Sequence, residues 1–253
     1  MRWCWQELAG LVLPGDCAGC GAARVLLCHG CRAALSGAGA RRVRPSPAPA
    51  GLPVVHAAAS YEGAVRAVLL AHKERGAMPL AGALGVALAG AVRAGLAGRA
   101  GVPGGGAGRE VVLVPVPSAR ARVRARGHDP ARRIALAASA RLRTTGTPAR
   151  VAAVLRQRRP VADQAGLGAR QRRENLAGAL EVRRGAARLL EGPWVVLVDD
   201  LMTTGATLAE AARAVRAAGV PGAGGPTAAV VAGPAYTPSY AIEPRSAGTR
   251  TDQ

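Results

Sequence analysis

Two adjacent carboxylates, Asp199 and Asp200, follow an apolar run from Val195 to Val198 and precede the small-residue stretch Met202-Thr203-Thr204-Gly205-Ala206-Thr207. Neighbouring carboxylates cannot serve a phosphate, because like charges repel. They suit vicinal hydroxyls, which donate hydrogen bonds, and they can assist Mg2+ through bound water. The hydroxyls of Thr203, Thr204 and Thr207 are donors of the kind an anion needs, and Gly205 lets the backbone approach closely. A helix beginning at this point would add unpaired N–H groups and the positive end of its dipole. Phosphate donors beside diol acceptors describe a site for ribose 5-phosphate. The plainer alternative is a strand-to-helix turn with an Asx cap.

A second group of chemically capable residues lies near the N-terminus. Cys17-Ala18-Gly19-Cys20 and Cys28-His29-Gly30-Cys31 are two C-x-x-C pairs separated by seven residues, Gly21 to Leu27. Each pair can form a tight knuckle that presents two thiolates to one ion. Two knuckles complete a tetrahedral Cys4 zinc site, and the connection is long enough for a hairpin. Such a site would hold together about 30 residues that otherwise lack a core. The alternatives are disulfides, which need an oxidising compartment, and unrelated surface cysteines. Cys4 is left over, and His29 sits inside a knuckle as an incidental neighbour.

These residues need elements to position them. Trp194 to Val198 reads as a buried parallel strand. Leu208, Ala211, Ala212 and Val215 recur at helical spacing, and Gly219 ends the helix. Upstream, Val54 to Tyr61 reads as a strand, Glu62 to Arg75 and Leu80 to Leu96 as helices, and Glu110 to Val116 as a second buried strand. The last ends at Pro117-Ser118, followed by the arginine-rich run to His128. A helix from Asp129 to Arg143 carries Pro130 at its first turn. Val151 to Leu155 is a third strand, Ala179 to Val182 a short one, and Thr227 to Ala232 the last. Between them, Arg156 to Asn175 is too long and polar for a simple connection. The alternation predicts an α/β fold with a doubly wound, mostly parallel sheet, whose ligand site lies at the carboxyl ends of the strands. The loops after Val116, Leu155 and Val198 should then edge one crevice. The expected organisation is a zinc-binding segment over 1–36, a Pro/Arg-rich linker over 37–53, the main domain over 54–233 and a disordered tail over 234–253.

Composition sets looser limits. The 253 residues can bury a sizeable core. The formal charge is +19, from 34 basic and 15 acidic residues, and Lys73 is the sole lysine. This balance favours anionic partners, phosphorylated metabolites or nucleic acid; the competing explanation is a GC-rich composition bias in Ala, Gly, Arg and Pro. Aromatic residues are 2% of the chain, too few for an extended base-stacking platform. No apolar run is expected to reach the ~20 residues of a membrane helix. The N-terminus resembles a signal peptide poorly, so a cytoplasmic location without membrane insertion is expected.

The Asp199–Thr207 stretch resembles the phosphoribosyl-pyrophosphate (PRPP) motif of type I phosphoribosyltransferases. The chain as a whole resembles the ComF family, competence-associated, phosphoribosyltransferase-like proteins with an N-terminal zinc-binding segment. The matching features are the two C-x-x-C pairs, Tyr61-x-Gly63 with Lys73-x-x-Gly76, the segment Val114 to Gly127, the loop Arg156, Gln164, Arg172-Arg173-x-Asn175, and the PRPP motif. His128-Asp129-Pro130 departs from the family's usual aromatic and amide residues, and Gly178-Ala179-Leu180 replaces Gly-Ala-Phe.

The resemblance implies that Asp199 and Asp200 hold the ribose hydroxyls and act as the catalytic carboxylates. Met202, Thr203, Thr204, Gly205, Ala206 and Thr207 would line the 5-phosphate. Pro117, Ser118 and Arg120 would lie at the pyrophosphate. Gln164, Arg172, Arg173 and Asn175 would belong to a lid, and Cys17, Cys20, Cys28 and Cys31 would bind Zn2+. The implied function is Mg2+-dependent phosphoribosyl transfer to a nucleobase-like acceptor, in DNA uptake or nucleotide metabolism. The alternative is a non-catalytic PRPP sensor, or an accessory protein that binds single-stranded DNA or a DNA-uptake helicase. Oligomeric state is left open.

Overall fold

The computed structural model describes residues 15–98, 108–159, 161, 168–220 and 225–234. Cys4, Gln164 and the expected tail beyond Pro234 lie outside them. The fold is α/β, built on a six-stranded, mostly parallel mixed sheet. Strands β1 (Arg41–Val43), β2 (Val55–Ser60), β3 (Val111–Pro115), β4 (Ala149–Val151), β7 (Trp194–Leu201) and β8 (Thr227–Gly233) take the order β1-β2-β8-β7-β3-β4. Only the β1–β2 pair is antiparallel. β1 arises within the expected linker and extends the sheet edge.

The central strands are apolar without alternation because both of their faces are covered. Val111 and Leu113 of β3 and Val196 and Val198 of β7 enter one core, while Val112 and Val114, with Val195 and Leu197, enter the core on the other face. Helices α2 (Gly63–Glu74), α3 (Ala81–Ala97) and α5 (Pro130–Thr144) supply the first core, and α7 (Ala206–Ala217) supplies the second. Since β2, β3, β7 and β8 are parallel, their carboxyl ends share one edge of the sheet, as the alternating pattern requires.

Four expectations need correction or refinement. The 20-residue stretch Met78–Ala97 is long and apolar enough to cross a membrane, with hydropathy 1.7; the expectation that no run would reach that length fails. Its helical part, α3, is a core helix, with Leu84, Leu88, Ala91 and Val92 fully buried, packed on β2, β8 and α5. The strand expected over Val151–Leu155 is two pieces. The Val154 N–H donates to the Ala152 carbonyl at 2.9 Å, a tight turn that takes the chain out of the sheet. Beyond it, β5 (Leu155–Gln157) pairs antiparallel with β6 (Leu180–Val182) as a separate two-stranded ribbon. Two short helices appear where loops are expected, α4 (Arg120–Arg126) and α6 (Ala169–Leu176). Alternating Arg and Ala hide α4, whose side chains are all at least partly exposed.

Candidate functional site

Strand β7 carries the two carboxylates to the sheet edge. Asp200 is 5% exposed, while Asp199 is half-buried and its Oδ1 accepts the Asp200 N–H at 2.8 Å. Burial and the neighbouring Asp200 charge push the Asp199 carboxyl well above the ordinary carboxylate range. The counter-charge comes from α2: Lys73 Nζ lies 2.7 Å from Asp200 Oδ2 and 3.1 Å from Oδ1. Burial disfavours the ammonium, but Asp200 and Asp199 outweigh it and hold the Lys73 pKa above its usual value. The pair spans 127 residues of sequence. Two signals pointed to Lys73 without naming its partner: it is the single lysine beside 33 arginines, and it belongs to the Lys73-x-x-Gly76 feature of the resemblance.

The end of α2 makes two further contacts. The Glu74 carboxylate takes the Arg126 guanidinium at 2.7 and 2.8 Å, joining α2 to α4. His72 packs edge-on against His128, with ring centroids 5.5 Å apart. Each Nδ1 faces a backbone carbonyl, of Ala77 and of Arg126 respectively. Asp129 is a structural cap: Oδ1 accepts the Arg132 N–H at 3.1 Å and Oδ2 accepts the Ser118 N–H at 3.4 Å. The second bond ties the Pro117–Ser118 turn to the start of α5.

After Leu201 the chain turns into the loop. Met202 is 2% exposed and belongs to the core beneath it, with its N–H donated to Ala232; its side chain is therefore scaffold. Thr203 is exposed, Thr204 and Thr207 are half-buried, and Gly205 and Ala206 are buried. Gly205 is the N-cap of α7 at φ +74, a left-handed conformation that glycine adopts without penalty. A Cβ there would meet Leu52 at 3.0 Å and Pro45 at 3.4 Å. The linker segment, and not a ligand, thus occupies the space beside this glycine. The Thr204 hydroxyl lies 3.5 Å from the Ala206 N–H.

Arg172 of α6 donates Nη1 to Thr203 Oγ1 at 3.1 Å, and its Nε is buried without a partner among the described residues. A guanidinium with an unmet donor thus sits at the hydroxyl loop. Arg173 is exposed, and the Asn175 carbonyl accepts from Arg159 at 3.0 Å. Pro117, Ser118 and Arg120 line a cleft of about 300 Å³ with the β-ribbon. The ribbon is fastened to α7 by Glu210, whose Oε1 accepts the Leu180 N–H at 3.0 Å and whose two oxygens pair with Arg213 at 2.7 Å. Burial works against the Glu210 carboxylate, yet Arg213 and the Leu180 N–H prevail and hold its pKa below the usual value.

The four cysteines converge. The Sγ atoms of Cys17, Cys20, Cys28 and Cys31 all lie within 4.8 Å of one another, and Cys20 and Cys28 are 3.6 Å apart. Tetrahedral thiolate ligation with bonds of about 2.3 Å needs sulfurs about 3.8 Å apart, so the cluster is close enough to hold a metal ion. Cys28 caps the helix α1 (His29–Ala34), its sulfur 3.5 Å from the Cys31 N–H. The Cys28 N–H lies 3.3 Å from the Cys17 sulfur, and this bond draws the Cys17 pKa down to about 6 against its burial. Burial and neighbouring sulfurs push the Cys31 thiol up. Gly19 is required inside its knuckle, since a Cβ would stand 2.6 Å from the Cys31 sulfur.

Comparison with protein-family models and with curated proteins finds no match to this chain.

Proposed function

We propose that the chain binds PRPP with Mg2+ at the β7–α7 loop and transfers phosphoribose to a nucleobase-like acceptor. The observation that carries this reading is the convergence on one loop of an adjacent carboxylate pair, a hydroxyl-rich helix start and the Arg172 guanidinium. Asp199 and Asp200 accept the ribose hydroxyls. Thr203, Thr204 and Thr207 donate to the 5-phosphate with the first N–H groups of α7. Arg172, with Pro117, Ser118 and Arg120 across the crevice, faces the pyrophosphate. Mg2+, held through bound water by Asp199 and Asp200, would supply countercharge to the pyrophosphate. The C1–oxygen bond to pyrophosphate breaks, a bond from the acceptor nitrogen to C1 forms, and that nitrogen's proton passes to solvent. The protein's work is positioning and charge stabilisation. The ion proposed for the four thiolates is a structural zinc, and the thiol set implies a reducing, cytoplasmic setting.

The Lys73–Asp200 contact favours a second reading. An internal cation already occupies one carboxylate, as suits a sensor that binds PRPP without turnover, in DNA uptake or beside a helicase on single-stranded DNA. A screen of nucleobases with PRPP, Mg2+ and pyrophosphate detection separates the two. Pyrophosphate release with one base supports transfer; calorimetric PRPP binding without release supports the sensor. No PRPP binding by the wild-type chain would end both.

A further inference from the structure

We propose that the cysteine cluster is a peroxide-sensitive zinc switch, in which Cys20 and Cys28 join in a disulfide and release the ion while Cys17 and Cys31 stay reduced. The proposal rests on the reading of the cluster as a zinc site and on nothing in the ribose-phosphate crevice.

The four sulfurs are not equivalent. Cys20 is exposed and Cys28 half-buried, whereas Cys17 and Cys31 are 4% and 5% exposed. A bound metal makes thiolates of all four, so access decides which is oxidised first. That residue is Cys20, on a turn closed by the Gly21 N–H, which donates to the Cys17 carbonyl at 2.8 Å.

The buried pair is fixed from behind. Cys17 and Cys31 pack in one core with Leu27, Leu35, Val65 and Leu69, so drawing either sulfur outward would open a close-packed interior. Cys28 lies at the edge of that core. Its sulfur is 3.5 Å from the Cys31 N–H, a long and weak bond, and 3.6 Å from the Cys20 sulfur. A disulfide needs about 2.05 Å, so the two accessible sulfurs must approach by about 1.5 Å. Rotation of their side chains supplies that movement and leaves the core as it is.

The chemistry balances with one hydroperoxide. The Cys20 thiolate attacks a peroxide oxygen, the O–O bond breaks and hydroxide leaves, giving a sulfenic acid. The Cys28 thiolate then attacks the Cys20 sulfur, the S–S bond forms and a second hydroxide leaves. Two protons from solvent convert the two hydroxides to water. The sulfurs together lose two electrons and the peroxide gains them. Two remaining thiolates cannot complete a tetrahedral site, so Zn2+ departs. The first knuckle rests on the start of α2, where a Cβ on Gly19 would stand 3.2 Å from the Ala64 Cβ. Release of the ion therefore loosens the helix that carries Lys73.

The test uses the full chain purified with a dithiol reductant, which is then removed. Hydrogen peroxide is added, freed Zn2+ is followed with a chromogenic chelator against a peroxide-free control, and remaining thiols are alkylated before tryptic digestion. Cleavage after Arg24 and Arg32 puts Cys20 and Cys28 on different peptides. The expected disulfide joins those peptides, with alkyl groups on Cys17 and Cys31, whereas a bond within either C-x-x-C pair leaves them separate. About one Zn2+ should appear per disulfide, and a dithiol with added Zn2+ should restore the site. Cys20→His offers zinc a nitrogen ligand that forms no disulfide, and it should keep its zinc at the peroxide dose that empties the wild type. If that variant binds no zinc, the wild-type disulfide map decides alone. Zinc retained by the wild type with four thiols intact, a disulfide that includes Cys17 or Cys31, or equal zinc loss from Cys20→His would overturn the proposal. Absence of zinc from the reduced wild type would remove the zinc reading itself, and the switch with it.

Discussion

At the scale of single residues, the carboxylate pair differs from what its sequence suggests in one respect: Asp200 is held by Lys73. On the proposed reading, Asp200→Asn would therefore remove a ligand contact and strand an ammonium together. Asp199→Asn is the cleaner probe, because an amide oxygen can still accept the Asp200 N–H. PRPP affinity measured by calorimetry with Mg2+ should fall by about one to two decades in Asp199→Asn, the value of one hydrogen bond to a charged group. Unchanged affinity would remove Asp199 from the site. The Lys73–Asp200 contact predicts a coupling energy of about 1–3 kcal/mol in a double-mutant cycle of Lys73→Met and Asp200→Asn followed by chemical denaturation. Additive effects would show that the ion pair carries no stability. Gly205→Val is a poor probe of ligand binding. The residue would combine a left-handed backbone, costing about 1–2 kcal/mol, with a collision against Leu52, so its first effect is on the fold.

At the scale of elements, the ribbon depends on a helix that lies outside it. Glu210 of α7 bonds to the Leu180 N–H of β6, and Arg213 reaches the Leu180 carbonyl at 2.8 Å. Glu210→Ala would leave that buried N–H without an acceptor, at a cost of about 2 kcal/mol. Amide exchange at Leu180 should accelerate before exchange at the central strands, and retained protection there would contradict the assignment. The same bond sets a direction in pH. The folded Glu210 pKa is depressed, so its contribution is complete above the unfolded value of 4.5. It is lost as pH falls through the lower folded value. A pH series should show ribbon exchange rising in acid, with Glu210→Gln insensitive to that change.

At the scale of the whole molecule, the cysteine segment is continuous with the main core. Cys17, Leu27, Cys31 and Leu35 pack in the same cluster as Val65, Leu69 and Leu84. Metal analysis should give about one zinc per chain, and Cys17→Ser or Cys31→Ser should abolish it. Chelation should lower the Tm of the entire chain, since the segment shares its core with α2. Gly19→Ala should weaken metal retention through the Cys31 contact alone. Stoichiometric disulfides in the purified protein, with no metal, would refute the thiolate cluster.

Much of this was legible in the chain by itself. The buried strands announced themselves because an element covered on both faces has no polar alternation to preserve, as Val111–Val114 and Val195–Val198 show. The start of α5 was legible because Asp129 and Pro130 act on their own local backbone, and the cysteine pairs because ligand spacing is a local constraint. What the sequence left undecided were contacts that exist only once distant segments meet. Lys73 meets Asp200 across 127 residues, Leu52 and Pro45 fill the space beside Gly205, and Arg172 reaches Thr203. The split of Val151–Leu155 into a sheet strand and a ribbon strand was likewise hidden. The run Val151–Leu155 is apolar throughout, and only the Val154–Ala152 turn and the Glu210 anchor on α7 decide which partner each half takes. Local patterns record what a residue needs of its immediate neighbours; charge pairing and space filling across the fold depend on three-dimensional proximity, which those patterns do not encode.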